Sequence, residues 1–460
     1  MKKLLNIYIL NTPHDTWENY LIKNFKKKGI IKNAIVHKTA KESKKRFLNL
    51  GKEGLEGEYV AVPIKVYNRM YEHLPRFIDM YCRVTPYHSG TYSELNFHQY
   101  LDHFNLILNY YYKLFIENEI DLFIHNNSPH VGYDYIPNIL AEELGIKTLY
   151  LEQTTFPNRF FYYWKFKDFG VFKTAENLFE SDPIKIENKF EKDLPYMNKK
   201  LLRQGFKFSN IKNFSSLNKE FTTYVPGYQF VKELFKPEYR GQAYYRYKLK
   251  KKYEENQKKL SSSIDLGKPF VYFALHLQPE KTTSSWGDQY TDQALAIEHL
   301  SSVLPKDWKI YVKENPKQTY FMRNPEFYRR LERIPNLELV SPAYNTYDLI
   351  KKSKLCATIT GTVGWEAITG GKPALVFGRP WYKTLPGVYD FSPDLDLESI
   401  SSKKVDFEKL QSEFNSLASK LAPGVIYNEN YPRYYKDYNV EENNVLVAST
   451  LETIIRTKFD

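Results

Sequence analysis

Read as hydrophobic and polar positions, the chain opens on a short apolar run. Leu4–Leu10, interrupted by Asn6, predicts a first β-strand. His98–Glu117 carries aromatic residues at helical spacing. Ile120–Ile124 is a short apolar strand that runs into the polar stretch HNNSPHVGYDY. Tyr135–Leu144 is amphipathic at a period of 3.6 and stops at Gly145, a helix C-terminal signal. Lys147–Leu151 is the next strand. Strand, loop, helix and strand in that order predict a βαβ unit and a parallel sheet.

A second pattern of the same kind starts at Pro269. Strands are expected at Phe270–Leu275, Trp308–Val312, Leu337–Val340, Leu355–Ile359 and Ala374–Phe377. Helices are expected at Gln289–Val303, Glu326–Arg333 and Tyr347–Lys352, with a further one following the stretch TITGTVGWEAITGGKP (358–373). Val447, Leu451, Ile454 and Ile455 fall on one face of a terminal helix, expected to pack back onto the first domain. Between about 180 and 265 charge and tyrosine rise. The segment YYRYKLKKKYEENQKKLSSS (244–263) has almost no apolar stripe; it reads as a solvated helix ending in a Ser-rich linker, or as a basic arm touching lipid head groups. The expected class is α/β, with two α/β domains joined by a linker and a cleft between them. The domains expected are 1–265, including the basic linker region, 266–400, and returning helices over 401–460.

Composition narrows the class. At 460 residues, 42% hydrophobic, the chain is too long for one ordinary core, and 16% aromatics argue against global disorder. Two cysteines, Cys82 and Cys356, exclude a disulfide framework and fit a reducing compartment. MKKLLNIYIL imitates a signal peptide but is short, carries Asn6, and lacks a small-residue cleavage site. No apolar run reaches the roughly 18 residues a membrane span needs. The protein is therefore expected in the cytoplasm, or peripherally at the inner face of the cytoplasmic membrane. A formal charge of +12 fits nucleic acid, anionic lipid or phosphorylated substrates alike. No RNA-recognition or helix-turn-helix pattern appears, so nucleic acid is not expected as a partner.

Five polar stretches each follow a strand: HNNSPH, LEQTT, HLQPE, KENP and TGTVGWE. In open parallel sheets ligands bind beyond the carboxyl ends of the strands, so all five are expected to face one cleft. In the last, Gly361 and Gly364 would let the backbone turn sharply and approach an anion. The helix beginning near Val363 would aim its free N–H groups there. Thr360 and Thr362 would add hydroxyls, and Glu366, in the first turn, could take a ribose. The competing reading is an ordinary strand–helix turn. Lys313 places a cation at a strand end, suited to phosphate or carboxylate, or else lies in a plain surface loop. His276 is either a ligand contact or a packed histidine. His130 and Glu152 are the candidates for acid–base work. Against those roles stand a helix-start partner for His130 and a salt bridge to Arg159 for Glu152. Asn127, Gln153 and Arg159 are counted with the cleft. No metal-ligand spacing and no GxSxG elbow occur.

The run QPEKT…YVKENP…FYRRLERIPNLELVSP…TITGTVGWEAITGGKPALVFGRPWY resembles the bacterial capsule polysaccharide biosynthesis family, which includes the β-Kdo transferases. The likeness covers residues 278–382 and, more loosely, 120–160. It implies a GT-B glycosyltransferase of two Rossmann-like domains facing a cleft, with the donor nucleotide in the second domain and a glycan or glycolipid acceptor toward the first. By analogy Lys313, Asn315, Thr360, Gly361, Thr362, Gly364 and Glu366 occupy donor-site positions, while Gln278 and Glu280 match the family's QPE. The donor of the Kdo transferases is CMP-Kdo. No cofactor and no free metal ion are implied. Two departures stand out. Asn315 replaces a common histidine, and an amide carries neither proton nor positive charge. Gln153 stands where the Kdo transferases tend to carry a nucleophilic aspartate, and it cannot form such an adduct. The rival expectations are a transferase of CDP-linked alcohol phosphates, a nucleotide-sugar epimerase, and a non-catalytic nucleotide- or glycan-binding scaffold.

Overall fold

A computed structural model describes residues 4–12, 15–38, 59–89, 96–172, 176–180, 183–190, 240–258, 264–278, 280–316, 318, 320, 323–427, 431, 435 and 437–459. The chain divides into two compact units. One comprises residues 1–89, 93–185 and 411–460; the other comprises 90–92 and 186–410. The divisions thus fall at 185/186 and 410/411, where the sequence reading put 265/266 and 400/401. Most of the Tyr- and charge-rich stretch between 180 and 265 lies outside the described residues, apart from the helix Arg240–Lys258.

The first unit holds a six-stranded sheet built from β1 (Leu5–Asn11), β2 (Ile31–Lys38), β3 (Leu122–Asn126), β4 (Lys147–Gln153), β5 (Arg159–Tyr163) and β12 (Ala422–Pro423). The strand order is β12-β5-β4-β3-β1-β2. The first four strands pair in parallel, whereas β5 pairs antiparallel with both β4 and β12. β1 and β3 are buried at every position. That explains their continuous apolar runs, since a central parallel strand is covered on both faces. Asn6 survives in β1 because its backbone N–H donates to Asp121 and its side-chain amide to the Glu119 carbonyl, 2.9 and 3.2 Å away. The C-terminal helix, Val440–Phe459, packs on the helix Trp17–Lys27. Its expected face is the observed one: Val447, Leu451, Ile454 and Ile455 are all buried. Each such side chain contributes roughly 2 kcal/mol. Lys28 and Glu452 add an ion pair at 2.7 Å.

The second unit contains β6 (Phe270–Ala274), β7 (Lys309–Lys313), β8 (Leu337–Val340), β9 (Leu355–Thr358), β10 (Ala374–Val376) and β11 (Val388–Asp390). All five pairings are parallel, in the order β11-β10-β9-β6-β7-β8. Numbered from β6, this is the 3-2-1-4-5-6 order of the Rossmann fold. The order reverses between β6 and β9, and a crevice is expected there beyond their carboxyl ends. The predicted helix Gln289–Val303 is interrupted. A 3₁₀ turn at Asp288–Thr291 precedes Gln293–Ser302, because the Asp292 carboxylate caps the N–H groups of Ala294 and Leu295. No described helix is long and apolar enough to cross a membrane.

Candidate functional site

The stretch TITGTVGWE lies at the strand-order reversal of the second unit. β9 is fully buried up to Thr358, Ile359 continues into the core, and the chain turns at Thr360–Gly361 into the helix Thr362–Thr369. Gly361 is the N-cap residue, so no side chain caps this helix. The Gly364 N–H bonds back to the Gly361 carbonyl at 3.2 Å, which leaves the N–H groups of Thr362 and Val363 at the start of the helix. Thr360 is buried, and its hydroxyl lacks a hydrogen-bond partner. An uncapped N-terminus beside an orphaned hydroxyl is suited to an anion. Thr362, the next candidate, is exposed.

The two glycines are there for a different reason than the sequence reading gave. Gly361 has an ordinary φ of −74°, so left-handed freedom is not used. A Cβ at this position would lie 2.7 Å from Thr358 Oγ1 and 3.1 Å from His276 Nε2. At Gly364 a Cβ would run into the Tyr382 hydroxyl, which donates to the Gly361 carbonyl. The glycines thus make room for two buried side chains that grip the loop. Glu366 also needs correction: it lies beyond the first helical turn, which holds no acidic residue, and it is buried.

His276 follows β6 and faces this loop. Its Nε2 accepts the Thr360 N–H at 3.2 Å and lies 2.9 Å from Thr358 Oγ1. Thr358 Oγ1 in turn accepts the Gly361 N–H at 3.2 Å. Nε2 therefore bears the lone pair, and the proton on Nδ1 points to Thr283 Oγ1, 3.1 Å away. Burial, aided by the nearby Arg323 guanidinium, pushes the imidazole down to about 4, so it is neutral near pH 7. Glu280 Oε2 is 3.8 Å from Nδ1 but two-fifths exposed, so solvent screens its opposing pull.

The QPE and KENP stretches are joined by a residue the sequence reading overlooked. Arg323 is fully buried and pairs with Glu314 through Nε at 2.8 Å and Nη2 at 3.2 Å. The same guanidinium donates to Gln278 Oε1 and, at 2.9 Å, to the His276 carbonyl. Gln278 also donates through Nε2 to the Thr291 carbonyl at 2.8 Å, so both ends of its amide are engaged internally. Gln278, expected to line a cleft, is thus part of the frame beneath the loop. Lys313 is buried at the end of β7. Its ammonium donates to the Tyr344 carbonyl and Thr346 Oγ1, both at 2.6 Å. Burial lowers its pKa below the usual lysine range, and these two partners leave its charge uncompensated. The Asn315 backbone N–H bonds the Glu314 carboxylate at 3.0 Å.

In the first unit, Glu152 ends up against Ser128. Its Oε2 accepts the Ser128 N–H at 3.1 Å and the hydroxyl at 2.7 Å, and that hydroxyl lies 3.1 Å from the Tyr163 hydroxyl. Asn127, just past β3, has φ of +145°, a strained geometry that costs on the order of 1–3 kcal/mol and that clusters at ligand sites. His130 is partly exposed; its Nδ1 lies 2.8 Å from the Ser128 carbonyl and 3.6 Å from Asp134 Oδ2. Asp134 is itself fixed by the N–H groups of His130 and Val131. A carbonyl at Nδ1 requires its proton there, which places the lone pair on Nε2. Gln153 uses both ends of its amide. Nε2 donates to the Arg159 carbonyl at 3.0 Å, and Oε1 accepts the Ile426 and Tyr427 N–H groups at 3.0 and 3.4 Å. A carboxylate could not replace that donor. Among the described residues, no group of three His, Cys, Asp or Glu is placed to hold a metal ion.

The family model for capsule polysaccharide biosynthesis proteins matches residues 212–442, half of the chain. Among solved structures, the chain is similar to the β-Kdo 2,7 transferase of Thermosulfurimonas dismutans KpsC. Identity is 12%, with coverage of 90% of this chain and 100% of that one, at a TM-score of 0.29. The β-Kdo 2,4 transferase of the same KpsC matches at 12% identity over 66% of this chain and 84% of that one, with a TM-score of 0.28. UDP-GlcNAc 2-epimerase from Methanocaldococcus jannaschii matches at 13% identity over 90% and 99%, with a TM-score of 0.25. No curated protein matches the chain.

Proposed function

The chain belongs to the capsule polysaccharide biosynthesis family, and from that premise we propose that it is a GT-B glycosyltransferase of surface polysaccharide assembly. It takes a sugar from a nucleotide-sugar, with a CMP-Kdo-like donor favoured, and adds it to a growing glycan or glycolipid at the inner face of the cytoplasmic membrane. The observation that carries this reading is the buried, unpartnered Thr360 hydroxyl at an uncapped helix N-terminus, placed where the strand order reverses.

In this reading the donor phosphate rests on the first-turn N–H groups and Thr360, with the Lys313 charge nearby in the same unit. These groups stabilise the negative charge that builds on the phosphate oxygen as the sugar leaves. The same positive field serves in place of a metal ion, and the protein uses no resident cofactor. Glu366 takes the donor ribose. His130 and Glu152 are the candidate bases; the His130 Nδ1 lies against the Ser128 carbonyl, and Glu152 accepts two hydrogen bonds from Ser128. The acceptor oxygen attacks the anomeric carbon, its proton passes to the base, and the bond between that carbon and the phosphate oxygen breaks. Gln153 cannot serve as a nucleophile, which favours direct displacement and inversion at that carbon.

The test is a thermal-shift panel of CMP, CDP, UDP and GDP, because a ligand that binds only the native state raises its stability. CMP is expected to stabilise the wild type, and Thr360→Val should lose most of that shift. A preference for UDP would sink the CMP-sugar assignment, and no shift with any nucleotide would sink the donor site. Epimerised donor formed without acceptor would reassign the protein as an epimerase.

A further inference from the structure

We propose that His276 and Tyr382 are positioning residues that hold the Thr360–Gly364 loop from opposite sides and so set the geometry of the anion site. The inference rests on reading that loop as the donor phosphate site. His276 takes the amide side: its Nε2 receives the Thr360 N–H, and through Thr358 it fixes the Gly361 N–H. Tyr382 takes the carbonyl side, its hydroxyl donating to the Gly361 oxygen. Both rings are buried.

Each grip is itself held. The His276 N–H donates to Gln293 Oε1 at 2.8 Å, and its carbonyl accepts from Arg323 at 2.9 Å. Its Nδ1 is steadied by Thr283. Tyr382 is wedged beside Trp381 and Trp365, with ring centroids 5.4 and 6.5 Å away. The backbone of Thr360 and Gly361 is therefore occupied on both sides by neutral groups. What the loop keeps for a ligand is the Thr360 hydroxyl and the Thr362 and Val363 N–H groups, since the Gly364 N–H bonds the Gly361 carbonyl. Binding sites gain affinity when their donors are fixed before the ligand arrives. The glycines fit this picture, since a methyl group at position 361 or 364 would displace one grip or the other.

The experiment compares His276→Leu, His276→Gln and Tyr382→Phe in the full chain. CMP affinity is read by calorimetry, and amide exchange at Thr360 by mass spectrometry. A glutamine can return an acceptor to the place of Nε2; a leucine cannot. His276→Leu is expected to weaken CMP binding about tenfold, and Tyr382→Phe by a few-fold, as expected for loss of one hydrogen bond each. His276→Gln should recover most of the affinity and the slow exchange at Thr360, a rescue that a purely space-filling role would not give. Wild-type CMP affinity in both His276→Leu and Tyr382→Phe would overturn the proposal. So would a glutamine variant no better than leucine. If leucine prevents folding, the glutamine and phenylalanine variants decide the matter. If CMP fails to bind the wild type, the donor-site reading falls; exchange at Thr360 unchanged in His276→Leu would then remove the clamp as well, and faster exchange would retain it.

Discussion

The neutral state of His276 makes a measurable demand on pH. Its folded pKa is about 4, against an ordinary value of 6.5, and burial is the main cause. Between those values the unfolded chain binds a proton that the folded chain refuses. Stability from this residue is therefore fully present above pH 6.5 and is lost as the pH falls from there toward 4, below which the loss levels off. The gap is roughly 2.5 units at 1.36 kcal/mol each, or about 3 kcal/mol in all. Glutamine at this position does not titrate but can still accept the Thr360 N–H. Urea unfolding of wild type and His276→Gln from pH 4 to pH 8 isolates the effect, since the carboxylates common to both cancel in the difference. The wild type should lose stability relative to the variant by up to about 1.4 kcal/mol per pH unit below 6.5. Its imidazole resonances should stay those of a neutral ring at pH 5. Parallel stability curves, or an imidazole that titrates near 6.5 in the folded protein, would refute the reasoning.

Three further outcomes follow from the contacts described. Gly364→Ala drives a methyl group into the Tyr382 hydroxyl, so it should cost about 1–3 kcal/mol of stability and reduce CMP affinity; calorimetry on both properties checks it. Arg323→Met strands the buried Glu314 carboxylate and should destabilise by about 3–5 kcal/mol, while Arg323→Met with Glu314→Gln should recover part of that loss in the same denaturation assay. Gln153→Asp restores the residue of the Kdo transferases but removes the donor to the Arg159 carbonyl. It should lower stability by roughly 1–3 kcal/mol, and mass spectrometry with donor should find no glycosyl adduct at that position.

The strands were legible wherever burial on both faces made them continuous apolar runs, as in β1, β3, β6 and β9. The edge strand β2 was missed because it is mostly half-buried and its pattern, IKNAIVHK, is mixed. The helices Ile64–Tyr71 and Leu74–Ser89 were missed too; the first carries only Met70 into the core. Strand-end position singled out the loop around Thr360, and the strand order places that loop at the reversal. The purpose of individual residues was less visible. Gly361 looked like a conformational need, yet a Cβ there would meet Thr358, three residues before it, and His276, 85 residues earlier in the chain. Gln153 looked like a lost nucleophile, while its partners at 426 and 427 lie 273 and 274 positions away. Such pairings leave no periodic trace. The one local hint for Arg323 is that it precedes Asn324 and Pro325, where a helix begins and backbone direction changes.

The first unit has a consequence for how the chain is made. Its sheet takes β12 from residues 422–423, and its first helix is covered by Val440–Phe459. Asn126 and Gln153 bond to Ile426, and Thr16 bonds to Asn444. During synthesis these partners emerge after the second unit, whose residues are almost all consecutive in sequence. The second unit can close as soon as its own strands have left the ribosome. The first, although begun earlier, waits with the outer side of β5 unpaired and the helix Trp17–Lys27 uncovered until residues 411–460 arrive, which makes it the unit more in need of protection from aggregation while nascent.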